Sequence, residues 1–171
     1  MHFPSFDRVA LEIKPLSLRK HDLDISNIME LDARIVSAVD EKKRTVADRI
    51  VGAKKKGAAV ILMIGAHVLR AGVQKYLIDL MERGYISCVA MNGAGVIHDY
   101  EFSLIGATTE SVARYIRDGQ FGLWKETGQI NDIINEGNLK GLGLGESVGE
   151  AIYKGDFSYK NISLLAAGHR L

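Results

Sequence analysis

One cysteine and two prolines in 171 residues already narrow what this chain can be. A lone Cys88 excludes an internal disulfide. Its place inside an apolar run predicts inert core packing in a reducing compartment. So little proline leaves no Pro-rich linker. Neither sign of charge dominates: 22 basic against 21 acidic residues give a net charge of +1. Nothing therefore draws the chain generally to nucleic acid or to an anionic membrane. The only dense basic run, Lys54-Lys55-Lys56, falls at the end of a predicted helix, where cations complement the dipole. No apolar run nears the roughly 20 residues that span a bilayer, and the start does not read as a signal peptide, so a cytoplasmic protein is expected. A P-loop and a G-x-S-x-G nucleophile elbow are both missing.

Glycine, in contrast, is plentiful at eighteen residues. Residues 59–64 and 85–91 read as short continuous apolar strands, each stopped by glycine. Between them, residues 71–83 place Val73, Leu77, Leu80 and Met81 on one helical face. Strand, helix and strand form a βαβ unit, which implies a parallel sheet covered on both faces and two almost wholly buried strands. An earlier helix, with Val46, Ala47, Ile50 and Val51 on one side, ends at Gly57. Upstream, residues 8–13 suit an edge strand ended by Pro15, and Asp24 or Ser26 can cap a short helix through Ile28, Met29 and Leu31. Beyond Gly106 the pattern is helical over residues 110–118, 124–136, 147–154 and 161–171. The expectation is one α/β domain over 1–171, with an N-terminal segment 1–43 and a main body 44–171. Its fold class is a Rossmann-like parallel sheet flanked by helices. Two strong strands are few for so many helices, which reads as a sheet truncated at the C-terminus or completed by a neighbouring subunit. Exposed Ile162, Leu164 and Leu165 would make an apolar patch, so a homo-oligomer is expected.

The stretch Asn92-Gly93-Ala94-Gly95-Val96-Ile97-His98-Asp99 carries the strongest functional signal. It follows a strand and opens a helix, where unpaired N–H groups and the positive dipole end favour an anionic or nucleotide-like ligand. In parallel sheets ligands bind beyond the carboxyl ends of the strands. Gly65, Ala66 and His67 at one tip, with Asn92, Gly93, Ala94 and Gly95 at the other, are therefore the candidate cofactor-binding residues. The dinucleotide fingerprint is half matched, since His98 stands at the third glycine position. His98, Asp99 and Glu101 are the candidate catalytic residues, with His98 as acid–base and Asp99 set on a ribose hydroxyl or a substrate amine. His98 and Glu101, three apart on one helical face, also suit a metal, and a purely structural role for the pair is the plain alternative. The turn Gly119 to Gly128 reads as a helix–helix corner anchored by Phe121 and Trp124, or as a way for Glu126 to reach the crevice. Gly141 to Gly145 either covers the site or connects two helices. His2, His21 and His169 have no supporting context.

Asn92 to Asp99 resembles the Thr-Ala-Gly-Gly-Val-x-x-Asp stretch of deoxyhypusine synthases, with Asp99 at the aspartate. Gly145 to Gly155, containing Glu-Ala-Ile-x-x-Gly, is similar to that family's Asp-Glu-Ala-hydrophobic-x-x-Gly-Lys helix. Gly65-Ala66-His67-Val68 and Ile97-His98-Asp99-Tyr100-Glu101 resemble an uncharacterised bacterial and archaeal branch of deoxyhypusine-synthase-like proteins. A similar His-Asp-x-Glu occurs in archaeal ornithine cyclodeaminase-like proteins. The resemblance spans roughly residues 55–171. It implies an NAD-binding Rossmann-like fold, a symmetric oligomer with sites between subunits, and a small amine or amino-acid substrate. It does not carry the synthase reaction over, because the Asn-Gly-Lys-Pro-Glu-Phe-like segment with the catalytic lysine has no counterpart here. The alternatives are a metal-dependent hydrolase or lyase using His67, His98, Asp99 and Glu101, and a non-catalytic small-molecule-binding or assembly protein.

Overall fold

The computed structural model describes residues 7–31 and 40–171 of the chain; His2 lies outside them. The N-terminal segment is mostly irregular. Instead of an edge strand, residues 8–10 form a 3-10 turn, and Val9 and Ile13 stay exposed with no sheet edge beside them. Lys14 makes an isolated β-bridge to Trp124. The two-residue strand β1 (Leu23–Asp24) leads into a single 3-10 turn, Ile25–Asn27, rather than a helix through Leu31. Asp24 does cap it, accepting from the Ser26 N–H while Asn27 reaches back to the Asp24 N–H.

Helix α1 (Glu41–Lys55) starts on Asp40, whose carboxylate accepts the Lys43 N–H, and closes at Gly57 with φ 65°. Lys54, in its last turn, donates to the Arg83 carbonyl and sits 4.2 Å from the Tyr85 ring centroid. Strand β2 (Ile61–Ile64) follows, then α2 (Ala66–Arg70) and α3 (Gln74–Glu82), then strand β3 (Cys88–Met91). The helix expected over 71–83 is present as α3, starting three residues later, and the short α2 before it was not expected. Gly72, at φ 78°, breaks the run, and a Cβ there would come within 1.9 Å of the Asn27 carbonyl oxygen, so the N-terminal segment crosses at this glycine. Strands β2 and β3 pair in parallel, Ile61 with Cys88 through Ile64 with Met91, as the βαβ reading requires.

Burial of the strands departs from expectation. Ile61 is 62 % and Met63 80 % exposed, and Cys88 is exposed rather than in the core. Among the described residues this sheet has two strands and is covered on one face only, so alternate side chains of β2 point to the open face.

The core lies on the other face, around α4 (Gly93–Ile105), which is buried on most of its circumference. Its Val96 and Tyr100 pack with Ile130, Val148, Ile152 and Ala166, and Phe102 packs with Ile28 and Ile162. Gly106, at φ 68°, ends α4 and hands the chain to strand β4 (Ala107–Thr108), which pairs antiparallel with β1. The helical stretch expected over 110–118 shrinks to the one-turn α5 (Val112–Tyr115). Helices α6 (Lys125–Leu139), α7 (Leu144–Lys154) and α8 (Leu164–Arg170) complete the layer. Ile162 and Leu164 are buried within this chain, against Phe102 and against Leu69 and Ile78, so they form no exposed patch. No helix among the described residues is long and apolar enough to cross a membrane.

Helices α7 and α8 touch through Gly149, where a Cβ would lie 2.5 Å from the Leu165 carbonyl oxygen. Backbone cannot yield as a flexible side chain can. Gly149→Ala is expected to cost about 1–3 kcal/mol in urea unfolding through overpacking. A loss below about 0.5 kcal/mol, the range of inert surface changes, would contradict this close approach.

Candidate active site

The tips of β2 and β3 lie side by side, as the position of a Cβ on Gly65 would fall 3.8 Å from Asn92 Nδ2. Asn92 caps α4, its Oδ1 accepting the Gly95 N–H at 3.0 Å. Gly95 is closely packed, since a Cβ there would lie 3.2 Å from the Met91 sulfur. The N–H groups of Gly93 and Ala94 have no protein partner among the described residues, and the space at Gly93 is open. This is the donor-rich helix start expected from the sequence.

One stripe of α4, formed by Ala94, Ile97, His98 and Glu101, lines a cavity of about 350 Å³. Arg70 of α2 borders it on one side. Arg19 and Asp22 come from the N-terminal segment, and Thr109, Glu110 and Trp124 close the far wall. Gly65 and His67 do not line this cavity; His67 is exposed, 3.4 Å from Arg70 Nη1.

The three candidate catalytic residues separate. Asp99 points away from the cavity and is 1 % exposed. Its Oδ1 accepts the Leu164 N–H at 2.9 Å, and its Oδ2 accepts the Leu165 N–H at 3.0 Å and the Ser163 hydroxyl at 2.6 Å. Ser163 in turn accepts the Ala166 N–H, so the first donors of α8 are all satisfied. Burial pushes the Asp99 carboxyl above its ordinary value, and these three donors oppose the shift. The carboxylate is therefore occupied by α8, not by a ribose or an amine in the cavity.

Glu101, also 1 % exposed, is equally engaged. Arg19 meets it in a two-pronged pair, Nη1 to Oε1 at 2.9 Å and Nη2 to Oε2 at 2.6 Å. Thr127 donates to Oε1 and Thr108 to Oε2, both at 2.6 Å. Burial works against this charge, but Arg19 and the two hydroxyls outweigh it and hold the carboxyl below its usual value. Arg19 is itself buried; its Nε donates to His21 Nδ1 at 3.1 Å, and its guanidinium lies 5.6 Å from the Trp124 ring centroid. Glu110 fixes that indole, accepting from Trp124 Nε1 at 2.8 Å and from the Gly122 N–H at 3.0 Å.

His98 remains available. Its Nδ1 lies 2.8 Å from Thr108 Oγ1, and Nε2 has no protein partner among the described residues. Burial pushes the imidazole below its ordinary value; Glu101 opposes this, while Arg70, Arg19 and His67 add to it. Beside it, Thr109 holds φ 63°, a left-handed conformation rare for a β-branched residue, and its buried Oγ1 has no partner among the described residues.

Sequence reasoning missed Arg19, Thr108 and Thr127, and it gave His21 no context. No local signal marks Arg19, which meets Glu101 across 82 residues of chain. Glu126 does not reach the cavity; it accepts the Leu16 N–H at 2.7 Å and ties down the N-terminal segment. The Gly141 to Gly145 loop opens α7 and reaches a different, larger cavity beside β3 and α8. Among the described residues no group of three or more His, Cys, Asp or Glu is placed to hold a metal ion.

A parallel βαβ unit with a glycine-rich helix start beyond β3 is the local geometry of a Rossmann fold. The family model described as arginine dihydrolase ArgZ-like, C-terminal, Rossmann fold matches residues 44–160. The chain belongs to that family. This ArgZ-like domain is also similar to a deoxyhypusine synthase-like protein of Elusimicrobium minutum (strain Pei191), at 24 % identity over 94 residues. Those residues are 55 % of this chain and 25 % of the relative, so the domain matches only about a quarter of that protein's length. The deoxyhypusine-synthase-like resemblance and the Rossmann-like α/β fold read from the sequence agree with both findings. No solved structure matches the chain.

The Arg19–Glu101 pair anchors the irregular segment to α4. Removing one partner of a buried pair strands the other charge, at a cost of about 3–5 kcal/mol. Arg19→Met is expected to lose that much in urea unfolding near neutral pH. Because the Glu101 carboxyl is held low, its contribution is full above the usual glutamate value and is lost as pH falls through the lowered one. The difference between wild type and Arg19→Met should therefore narrow in strong acid, and a pH-independent difference would contradict an ionised Glu101.

Proposed function

We propose that this ArgZ-like domain binds NAD or a related nucleotide at the start of α4 and presents His98 to a small amine or amino-acid substrate. One juxtaposition carries the reading: the helix start where the N–H groups of Gly93 and Ala94 find no protein partner among the described residues meets, at Ala94, the cavity that His98 lines. A phosphate there meets the positive end of a 13-residue helix, with Arg70 close by. The cavity, near the small end of known ligand sites at about 300–1,000 Å³, suits a substrate or one ring of a dinucleotide. The rest of the nucleotide would lie along the open strand tips. NAD, when bound, supplies hydride acceptance; this chain's own contribution is to orient the ligand and to move a proton at His98 Nε2.

A non-catalytic binding protein is the second reading. It is favoured by one observation: Asp99 and Glu101 are both fully engaged inside the fold, which leaves His98 as the one candidate catalytic group free to act. Turnover of amine or amino-acid substrates with NAD separates the two.

Calorimetric titration with NAD and NADH tests the binding. Ala94→Asp is the informative variant, because an acidic residue in the first turn suits the helix itself while repelling phosphate. Affinity for NAD is expected to fall tenfold or more, with the folded state kept. Equal affinity in the variant, or no binding by wild type at millimolar ligand, would defeat the proposal. Any turnover should be steady at and above the ordinary histidine value and fall in acid, as His98 takes up a proton at its lowered value.

A further inference from the structure

Thr108 stands between two side chains of α4. Its Oγ1 is 2.6 Å from Glu101 Oε2 and 2.8 Å from His98 Nδ1, and the residue is fully buried. A threonine hydroxyl has one proton to give and two lone pairs to receive with. Glu101, gripped by both Nη atoms of Arg19, is ionised and only accepts. The Thr108 proton therefore belongs to Glu101, and towards His98 the hydroxyl can only accept. Nδ1 must then carry the imidazole proton, and in the neutral ring Nε2 keeps the lone pair.

We propose that Thr108, oriented by Glu101, is a positioning residue that holds His98 in the Nδ1-protonated tautomer, with Nε2 as its basic nitrogen. Free histidine favours the opposite tautomer, so the protein imposes this one. The chemistry has a direct consequence for the ligand. What sits at Nε2 must offer a hydrogen, as an ammonium, a hydroxyl or a water does; a carbonyl or carboxylate oxygen would meet a lone pair. The charged and titratable groups facing the ring are Glu101, Arg70, Arg19 and His67, and burial adds to the net lowering, so the ring is neutral at about pH 8. The use of Nε2 on a substrate rests on the function proposed above, whereas the tautomer does not.

Two-bond 15N–1H correlation spectra of the full chain at that pH read the tautomer directly. His98 is assigned by the signals that vanish in His98→Gln. The expected result is a pyrrole-type shift at Nδ1 and a pyridine-type shift at Nε2. Thr108→Val keeps the shape and removes the acceptor, so the two shifts should move towards exchange of type, and Thr108→Ser should restore the wild-type pattern. A protonated Nε2 in wild type overturns the proposal, as does an unchanged pattern in folded Thr108→Val. If that variant fails to fold, the wild-type and Thr108→Ser spectra decide, with an Nε2-protonated ring in either counting against it. No nucleotide is needed, so a chain that shows this tautomer yet binds no NAD would sink only the functional reading.

Discussion

Two carboxyl groups on a helix that water hardly reaches impose the strongest constraint on this molecule. Desolvating a carboxylate is costly unless hydrogen bonds or an opposite charge answer it. Asp99 is answered by the start of α8, and Glu101 by Arg19 with two threonine hydroxyls. These answers come from opposite ends of the chain. The C-terminal helix and the irregular N-terminal segment are thereby fixed to the same element, and the cavity wall is built from what α4 and that segment share. The remaining packing, from Tyr100 against Phe157 at 5.2 Å to the Trp124 corner, fills space around this arrangement.

The reach of the sequence followed the range of the interactions. Apolar runs bounded by glycine marked β2 and β3, and their parallel pairing followed from the helical segment between them. Asp24 was legible as a cap because a cap is a local event within three residues. The break between α2 and α3 was not, since it answers to Asn27 meeting Gly72 from a distant part of the chain. Strand burial was overestimated for a related reason: an apolar run states what a strand can tolerate, while the number of layers over it is settled by the whole fold. At the site, the residue types were right and their partners invisible. His98, Asp99 and Glu101 were read as a set, yet helical geometry turns Asp99 away from the other two, and Arg19 had no local mark at all.

This separation changes what the site has to work with. A carboxylate gripped by a guanidinium and two hydroxyls is a fixed charge, better at orienting neighbours than at exchanging protons. Glu101 thus acts at a distance, through Thr108, on the one ring that faces the cavity with a free nitrogen. The arrangement is similar in logic to an acid–base pair in which the carboxylate orients and the imidazole acts, here with a hydroxyl interposed.

Arg19 lies outside residues 44–160, the part of the chain that the family model covers. A family boundary drawn by sequence likeness therefore cuts through a unit of charge balance. Anyone transplanting the Rossmann portion alone would carry away Glu101 without its counter-ion and His98 without one wall of its cavity. The portable piece of this protein is set by where its charges close, and that boundary runs upstream of residue 19, not at residue 44.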